Sequence, residues 1–288
     1  MINGKTRVCG LIGNPVEHTL SPLIHNTLAK ECGHDLTYVP FLVEPGKVAQ
    51  AVRGAYELNI LGLNVTVPHK SEVISALAEV DELAAKIGAV NTLVRTESGY
   101  KGYNTDISGL HRAMTSEGIR LEEEEVILLG AGGAARSAAF LCGAQKAEKV
   151  YLLNRSLDKA MQVAEEVNKA FGREFMQPML LSDYPKLLDK KFLAIQGTSV
   201  GLSPHDEEEV VIEDAAFYEK IHTGFDLIYK PFTTKFMKLV EEAGGKAYNG
   251  LKMLLYQGVD AYELWNQVKI TEKEAALVYD KLRGAMGL

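Results

Sequence analysis

The sequence predicts an α/β protein of two domains, and three observations carry that expectation. From residue 7 to residue 65, short aliphatic runs alternate with amphipathic stretches, the pattern of successive βαβ units. A second alternation restarts near residue 126 with a strand, a glycine turn and an alanine-rich helix. The C-terminal stretches "MLLYQGVDAYELWNQ" and "EKEAALVYDKLRGAM" carry apolar residues at helical spacing and must dock on one of the two domains.

In order, "RVCGLIG", "TYVPFLV" and "GLNVTVPHK" read as strands, with "SPLIHNTLAKECG" and "KVAQAVRGAYELN" as the helices between them. In the third strand Leu63, Val65 and Val67 alternate with Asn64 and Thr66, which sends aliphatics to one face and polar side chains to the other, and Pro68 ends the ladder. "SEVISALAEV" follows with Val73, Ala76, Leu77 and Val80 at helical spacing. A short helix at "DELAAKIGA" leads into "VNTLVRTESGYKGYN", a hairpin turning at Glu97-Ser98-Gly99, where the first domain is expected to end. After a helix near "SGLHRAMTSEG", Glu122 to Glu125 read as a solvated lead-in to "VILLGAGGAARSAAFLCG" and "KVYLLNRS". Further strands are expected at "FLAIQGTS" and "TGFDLIY".

Composition excludes several classes. At 288 residues and 47% hydrophobic content the chain can bury a substantial core. A net charge of -7 without a basic stripe argues against a nucleic-acid partner. Cys9, Cys32 and Cys142 are odd in number and widely spaced, so all three are expected in core packing in a reducing compartment. The seven histidines show no metal-ligand spacing, so no metal is expected. No signal-peptide pattern opens the chain and no stretch is long and apolar enough for a bilayer, which together lead to the expectation of a soluble, cytoplasmic protein.

Gly130, Gly132 and Ala135 occupy the three positions of G-x-G-x-x-G/A between a strand and a helix. Those positions allow a tight turn and let a pyrophosphate approach backbone N–H groups at the helix start. The next strand ends in Asn154-Arg155, where an NAD enzyme usually carries an acid for the ribose 2′-hydroxyl; arginine suits a 2′-phosphate and favours NADP. Lys70 falls at the start of the expected 71–80 helix, a poor place for a cation. It reads either as an exposed residue costing about 0.3–1 kcal/mol against the dipole, or as a proton-transfer group, because such a site disfavours the charged form. Asp106 of "YNTDISG" is its candidate partner or else an N-cap.

Taken in order, "NPVEHTLSPLIHN", "GLNVTVPHK", "IGAVNTL", "GYNTD", "GAGGAA", "NRS", "TSVG", "DLIY" and "GLKMLLYQG" span nearly the whole chain. Through them the sequence resembles the shikimate dehydrogenase family, with its quinate/shikimate relatives. The resemblance implies a mixed βαβ substrate domain at residues 1–107 plus 251–288, with an NADP-binding Rossmann domain inserted at 108–250 and the C-terminal helices returning to the first domain. It implies reversible hydride transfer between NADP and C3 of shikimate, giving 3-dehydroshikimate in aromatic amino acid biosynthesis, by a monomer or homodimer. Lys70 and Asp106 match the family's catalytic pair. Thr19, Ser21 and Tyr229 fall where the substrate carboxylate is held, Asn91, Asp106 and Gln257 where ring hydroxyls are read, and Asn64 and Thr66 on the strand face turned to a polyol pocket. On the cofactor side stand Gly130, Ala131, Gly132, Gly133 and Ala134, then Asn154, Arg155, Ser156 and Lys159, and finally Thr198, Ile228, Gly250 and Met253. Thr19 stands where the family has serine, Gln196 and Lys230 where it has asparagine, and Lys252 where it has glycine. A quinate-preferring dehydrogenase and a non-catalytic NADP-binding sensor are the alternative readings.

Overall fold

The computed structural model describes residues 2–204 and 207–288. The chain forms two compact units, Met1–Gly109 with Leu254–Leu288, and Leu110–Met253.

The first unit runs β1 (Arg7–Gly13), α1 (Ser21–Glu31), β2 (Leu36–Leu42), α2 (Val48–Glu57), β3 (Gly62–Val65), β4 (Glu79–Val80), α3 (Glu82–Ile87), β5 (Thr92–Thr96) and β6 (Gly99–Tyr103), and then enters α4 (Thr105–Ser116). Its sheet has the order β2-β1-β3-β5-β6-β4. β1 pairs in parallel with β2 and β3, as right-handed βαβ connections require, whereas β3–β5 and β5–β6 are antiparallel. Val48, Val52 and Ala55, spaced at helical intervals, bury one face of α2. Asp81 accepts from the N–H groups of Leu83 and Ala84 and starts α3, and Gly88, at φ +66°, ends it.

Two expectations fail between residues 66 and 80. β3 stops at Val65, and Val67 is 65% exposed rather than in the core. In place of an α-helix over 71–80 there is one 3₁₀ turn, Glu72–Ala76, and then β4. Pairing with β6 explains the change: Ala78 N–H donates to the Tyr100 carbonyl and Asp81 N–H to the Gly102 carbonyl. Gly102 leaves the space that Leu77 and Val90 fill, since a Cβ there would lie 2.5 Å from Leu77 Cδ1. Ile74, Ala76, Leu77 and Val80 therefore still pack on the core, through a turn and a strand.

The second unit continues with β7 (Glu125–Leu129), α5 (Gly133–Ala144), β8 (Lys149–Asn154), α6 (Leu157–Phe171), β9 (Met176–Leu180), β10 (Phe192–Gln196), α7 (Ala215–Tyr218), β11 (Ile221–Asp226), α8 (Lys235–Glu242) and β12 (Lys246–Tyr248). All its strands are parallel, in the order β12-β11-β10-β7-β8-β9. Order reverses at β7, so the crevice beyond the carboxyl ends of β7 and β10 is the switch point at which such sheets bind ligands. Glu125 is not free lead-in: it opens β7 and accepts from the Tyr151 hydroxyl and from Lys190.

α9 (Leu251–Asn266) and α10 (Glu272–Ala285) close the chain. Trp265 on α9 lies against Gly62, where a Cβ would come 2.1 Å from the indole nitrogen, and that nitrogen donates to the Leu93 carbonyl at 2.9 Å. Thr271 and Glu274 form a capping box at the start of α10. Cys9 and Cys142 are buried, which pushes both thiols up to about 12, but Cys32 is only half-buried and its thiol faces Glu274 Oε1 at 3.8 Å, so it is not core packing. Among the described residues, no helix is long and apolar enough to cross a membrane, and no cluster of three or more His, Cys, Asp or Glu could hold a metal ion.

Candidate active site

In the first unit a polar cluster lies where β3, β5 and α4 meet. Lys70 Nζ donates to Asp106 Oδ2 at 2.6 Å, and Asn91 Nδ2 donates to Asp106 Oδ1 at 2.8 Å. Lys70 sits in a turn ahead of the 3₁₀ segment and not at an α-helix start, so no full helix dipole acts on it. Its place is fixed by the backbone instead, because Val90 N–H donates to the Lys70 carbonyl at 2.8 Å. Asp106 lies inside the first turn of α4, and Asn104 Oδ1 accepts from Ile107 N–H there. The Asp106 carboxylate is thereby left for Lys70 and Asn91. Thr105 N–H donates to Asn91 Oδ1 at 2.7 Å, which fixes the orientation of that amide and turns its NH₂ toward Asp106. The cluster keeps two unspent hydrogens on Lys70 and further lone pairs on Asp106, enough to hold a hydroxyl as donor and as acceptor.

Asn64 does not face a pocket. It is 4% exposed, its oxygen accepts from the Tyr38 hydroxyl at 2.8 Å, and its NH₂ donates to the Asn91 carbonyl and to Thr92 Oγ1. The oxygen also faces His25 Nε2 at 3.1 Å, so that nitrogen carries the hydrogen. Burial pushes His25 down to about 3, keeping the ring neutral. Asn64 was expected on a substrate-facing surface because β3 alternates, but β3 has neighbours on both edges and layers on both faces, and its polar side chain is spent on supporting Asn91. Thr66, just past the strand, is half-buried, and among the described residues its hydroxyl has no hydrogen-bond partner. Thr19 donates to Ser21 Oγ at 3.1 Å at the start of α1. The N-cap position of that helix belongs to Leu20, yet Thr19 Oγ1 also accepts from Ser21 N–H at 3.2 Å and so satisfies the first N–H of α1.

In the second unit a cavity of about 600 Å³ opens at the switch point. It is lined by Gly130 to Ala134, by Asn154, Arg155 and Lys159, and by Thr198, Ile228 and Tyr229, among others. Gly130 has φ +101°, and a Cβ on it would lie 2.7 Å from Thr198 Cγ2, so glycine is required for the turn. Gly197 brings the 197–200 loop onto α5, where a Cβ would fall 2.8 Å from Ala135 Cα. α5 has no acid in its first turn, and among the described residues neither Arg155 nor Lys159 has an acidic partner. A phosphate-bearing dinucleotide fits this arrangement: pyrophosphate at the α5 N-terminus, a 2′-phosphate at the two cations.

Ser156, Gly250 and Met253 do not line the cavity. Ser156 caps α6, accepting from Lys159 N–H, while Gly250 presses on the neighbouring loop, where a Cβ would lie 2.2 Å from the Leu227 carbonyl. Lys252 is paired with Glu117 rather than turned to the cavity. Burial pushes the Tyr229 phenol up.

Sequence reasoning missed the support beneath this cavity. Gln196 Oε1 accepts from Thr198 N–H at 2.6 Å, and its Nε2 donates to the Val200 carbonyl at 3.2 Å and faces Asp226 Oδ1. Asp226 also accepts from Ile228 N–H at 2.9 Å and from the Thr234 hydroxyl at 2.6 Å. Burial without a cation pushes Asp226 up from 3.8 to about 7, against the lowering effect of those two bonds. Between these values the folded state holds a proton that the unfolded chain has released, so this group's contribution to stability is full below pH 3.8 and is lost as pH rises through about 7. Asp226→Asn removes the charge and keeps an acceptor for Ile228 N–H, while its NH₂ donates to the Thr234 hydroxyl in place of accepting from it. Its Tm relative to wild type is expected to rise between pH 5 and pH 8, checked by paired melts; a difference that stays constant would contradict this account.

Two family models match the chain. The shikimate dehydrogenase substrate-binding domain matches residues 11–93, and the shikimate / quinate 5-dehydrogenase domain matches residues 112–211. A shikimate dehydrogenase (NADP(+)) from Desulforamulus reducens is 41% identical over 92% of this chain and 91% of its own.

The chain belongs to the shikimate dehydrogenase family.

Other members agree in sequence and in fold. The shikimate dehydrogenase (NADP(+)) of Methanocaldococcus jannaschii is 38% identical over 93% of this chain and 94% of its own. A crystal structure of a shikimate dehydrogenase in complex with NADP+ superposes with a TM-score of 0.88 at 35% identity, covering 98% of this chain and 97% of that one. The shikimate 5-dehydrogenase of Listeria monocytogenes, in complex with shikimate and NAD, gives a TM-score of 0.90 at 28% identity, covering 98% of both chains. Family membership also accounts for the fold, a substrate domain with an inserted dinucleotide-binding domain.

Proposed function

We propose that this member of the family is an NADP-dependent oxidoreductase interconverting shikimate and 3-dehydroshikimate in the shikimate pathway. The observation that carries the proposal is the Lys70–Asp106–Asn91 cluster, in a chain 41% identical to an NADP-dependent relative. In the oxidising direction the C3 hydrogen leaves with its electron pair and the C3 hydroxyl loses a proton. Bound NADP+ supplies the acceptor for the hydride.

The protein's own residues handle the proton and the alignment. Lys70 is set to act at the C3 oxygen: as the neutral amine it takes up the hydroxyl proton in the oxidising direction, and as the resulting ammonium it returns that proton to the forming alkoxide in the reverse direction. Asp106 steadies the lysine through Oδ2 and accepts from a substrate hydroxyl with its remaining lone pairs. Asn91, its oxygen consumed by Thr105 N–H, can only donate, and offers its second amide hydrogen to a ring oxygen. Thr66, Thr19 and Ser21 contribute hydroxyls, the latter two to the substrate carboxylate, and Gln257 reads a ring hydroxyl. Arg155 and Lys159 hold the 2′-phosphate, Gly130 to Ala134 the pyrophosphate, and Thr198 and Ile228 flank the nicotinamide. Asn154 lines the cavity beside Arg155, while Ser156, Gly250 and Met253 support the cofactor from behind the lining. The setting that suits this chemistry and three free cysteines is the cytoplasm, with the enzyme acting as a monomer or homodimer.

Initial rates with shikimate and quinate, each with NADP+ and NAD+, test the proposal. Shikimate with NADP+ is expected to give the highest kcat/KM, because the extra methyl of Thr19 crowds the tetrahedral carboxyl-bearing carbon of quinate. A higher value on quinate would favour the quinate-preferring reading, and no turnover of either would favour a non-catalytic sensor.

A further inference from the structure

Within the first unit α9 approaches α4 more closely than two ordinary helices can. Gly109, on α4, is buried, and a Cβ on it would lie 2.5 Å from Gln257 N, 2.7 Å from Gln257 Cα and 2.8 Å from Gln257 Cβ. The first two are backbone atoms, which cannot turn aside as a flexible side chain could. One residue earlier, the Ser108 hydroxyl donates to Asp260 Oδ2, a second tie between the same helices. On another side of α9, Gly258 lies against α1, where a Cβ would meet Ile24 Cγ2 at 3.0 Å.

Gly109 follows Asp106 by three positions, so the two share a face of α4 about 4.5 Å apart along its axis. Gln257 is therefore held one helical turn from the carboxylate that binds Lys70. Its amide is oriented as well: Nε2 spends one hydrogen on the Leu254 carbonyl at 2.9 Å, which turns that end toward the backbone of α9, and among the described residues Oε1 accepts from no group.

We propose that Gly109 is a positioning residue for substrate: by admitting the α9 backbone into contact with α4, it places Gln257 Oε1 to accept a hydrogen bond from a ring hydroxyl beside Asp106. The inference rests on the reading of this site as a shikimate site. It adds that Gln257 acts as an acceptor, at a distance fixed by a residue that touches neither substrate nor cofactor. A methyl group at position 109 must push α9 outward and carry Gln257 with it.

The test compares wild type, Gly109→Ala, Gln257→Ala and the double variant, in full-length protein, by steady-state kinetics with shikimate and NADP+ and by NADPH fluorescence titration. A lost hydrogen bond of about 0.5–1.5 kcal/mol corresponds to a roughly 2- to 12-fold rise in shikimate KM. Gly109→Ala is expected to raise shikimate KM by at least that factor, with the NADPH Kd unchanged within about twofold. In the Gln257→Ala background the same substitution should add little, since the two act on one contact. Unchanged KM in a folded Gly109→Ala protein, or full additivity in the double variant, would overturn the proposal. Should Gly109→Ala fail to fold, Ser108→Ala loosens the same helix pair without a clash, and an unchanged shikimate KM there would overturn it equally. A wild-type enzyme that does not turn over shikimate would instead remove the functional reading, and this inference with it.

Discussion

Lys70→Ala is expected to lower kcat by about two to four orders of magnitude, the usual range for loss of a general acid–base group. Shikimate KM should move much less, because an interaction made chiefly in the transition state appears in kcat. The geometry adds a second expectation. Lys70 and Asp106 meet at 2.6 Å, and the same carboxylate holds Asn91 at 2.8 Å, so the residues form one unit. Asp106→Asn should therefore also slow turnover, and the double variant should lose less than the sum of the separate losses. The measurement is steady-state kinetics on the four proteins after each is shown to bind NADPH. A Lys70→Ala enzyme with near-normal kcat and only a raised KM would make the lysine a substrate anchor and remove it from proton transfer.

Arg155→Ala is expected to weaken NADP by about 10- to 100-fold, from the loss of a charge-assisted bond of about 1.5–3 kcal/mol. NAD, which lacks the 2′-phosphate, should be affected far less. Arg155 lines the cavity at the end of β8, and Lys159 lies in the first turn of α6. The two cations thus converge from a strand end and a helix start, and Lys159→Ala should give a smaller loss of the same kind. Kd values for NADPH and NADH by fluorescence titration check this. Equal losses for both cofactors would show that Arg155 does not discriminate between them.

The glycine turn and Arg155 stand out in local sequence, whereas most substrate-side residues are expected only through the family resemblance. The glycine turn at 130–135 is legible because strand, turn and helix are consecutive, and the requirement for φ > 0 at Gly130 is a local one. The α/β class and the division into two units were legible for the same reason, from alternation that each segment declares alone. α6 carries local signals as well: Ser156 caps it, Ala160, Val163, Ala164 and Val167 are buried at helical spacing, and Gly172 ends it at φ +65°. Segment 71–80 was misread because its apolar spacing suits a helix, while the competitor, pairing of β4 with β6, is visible only once the hairpin exists. Asn64 fails similarly: alternation says which face a side chain takes, not whether that face meets a pocket or four partners already waiting. The contact at Gly109 joins positions 148 residues apart, and nothing near either one announces it.

Trp265, 4% exposed, is the chain's single tryptophan, and it lies against Gly62 and the Leu93 carbonyl. Intrinsic fluorescence excited at the indole therefore reports on the first unit alone, while the second unit loosens unseen by that light. The same placement sets a schedule during synthesis. The strands of the first unit leave the ribosome long before α9, so their sheet waits with an open slot at Gly62 while residues 110–253, contiguous in the chain, can collapse as soon as they emerge. A nascent chain stalled at residue 253 would be dark, and the blue-shifted emission of a buried indole would mark the moment at which the last-made helix closes the first-made sheet.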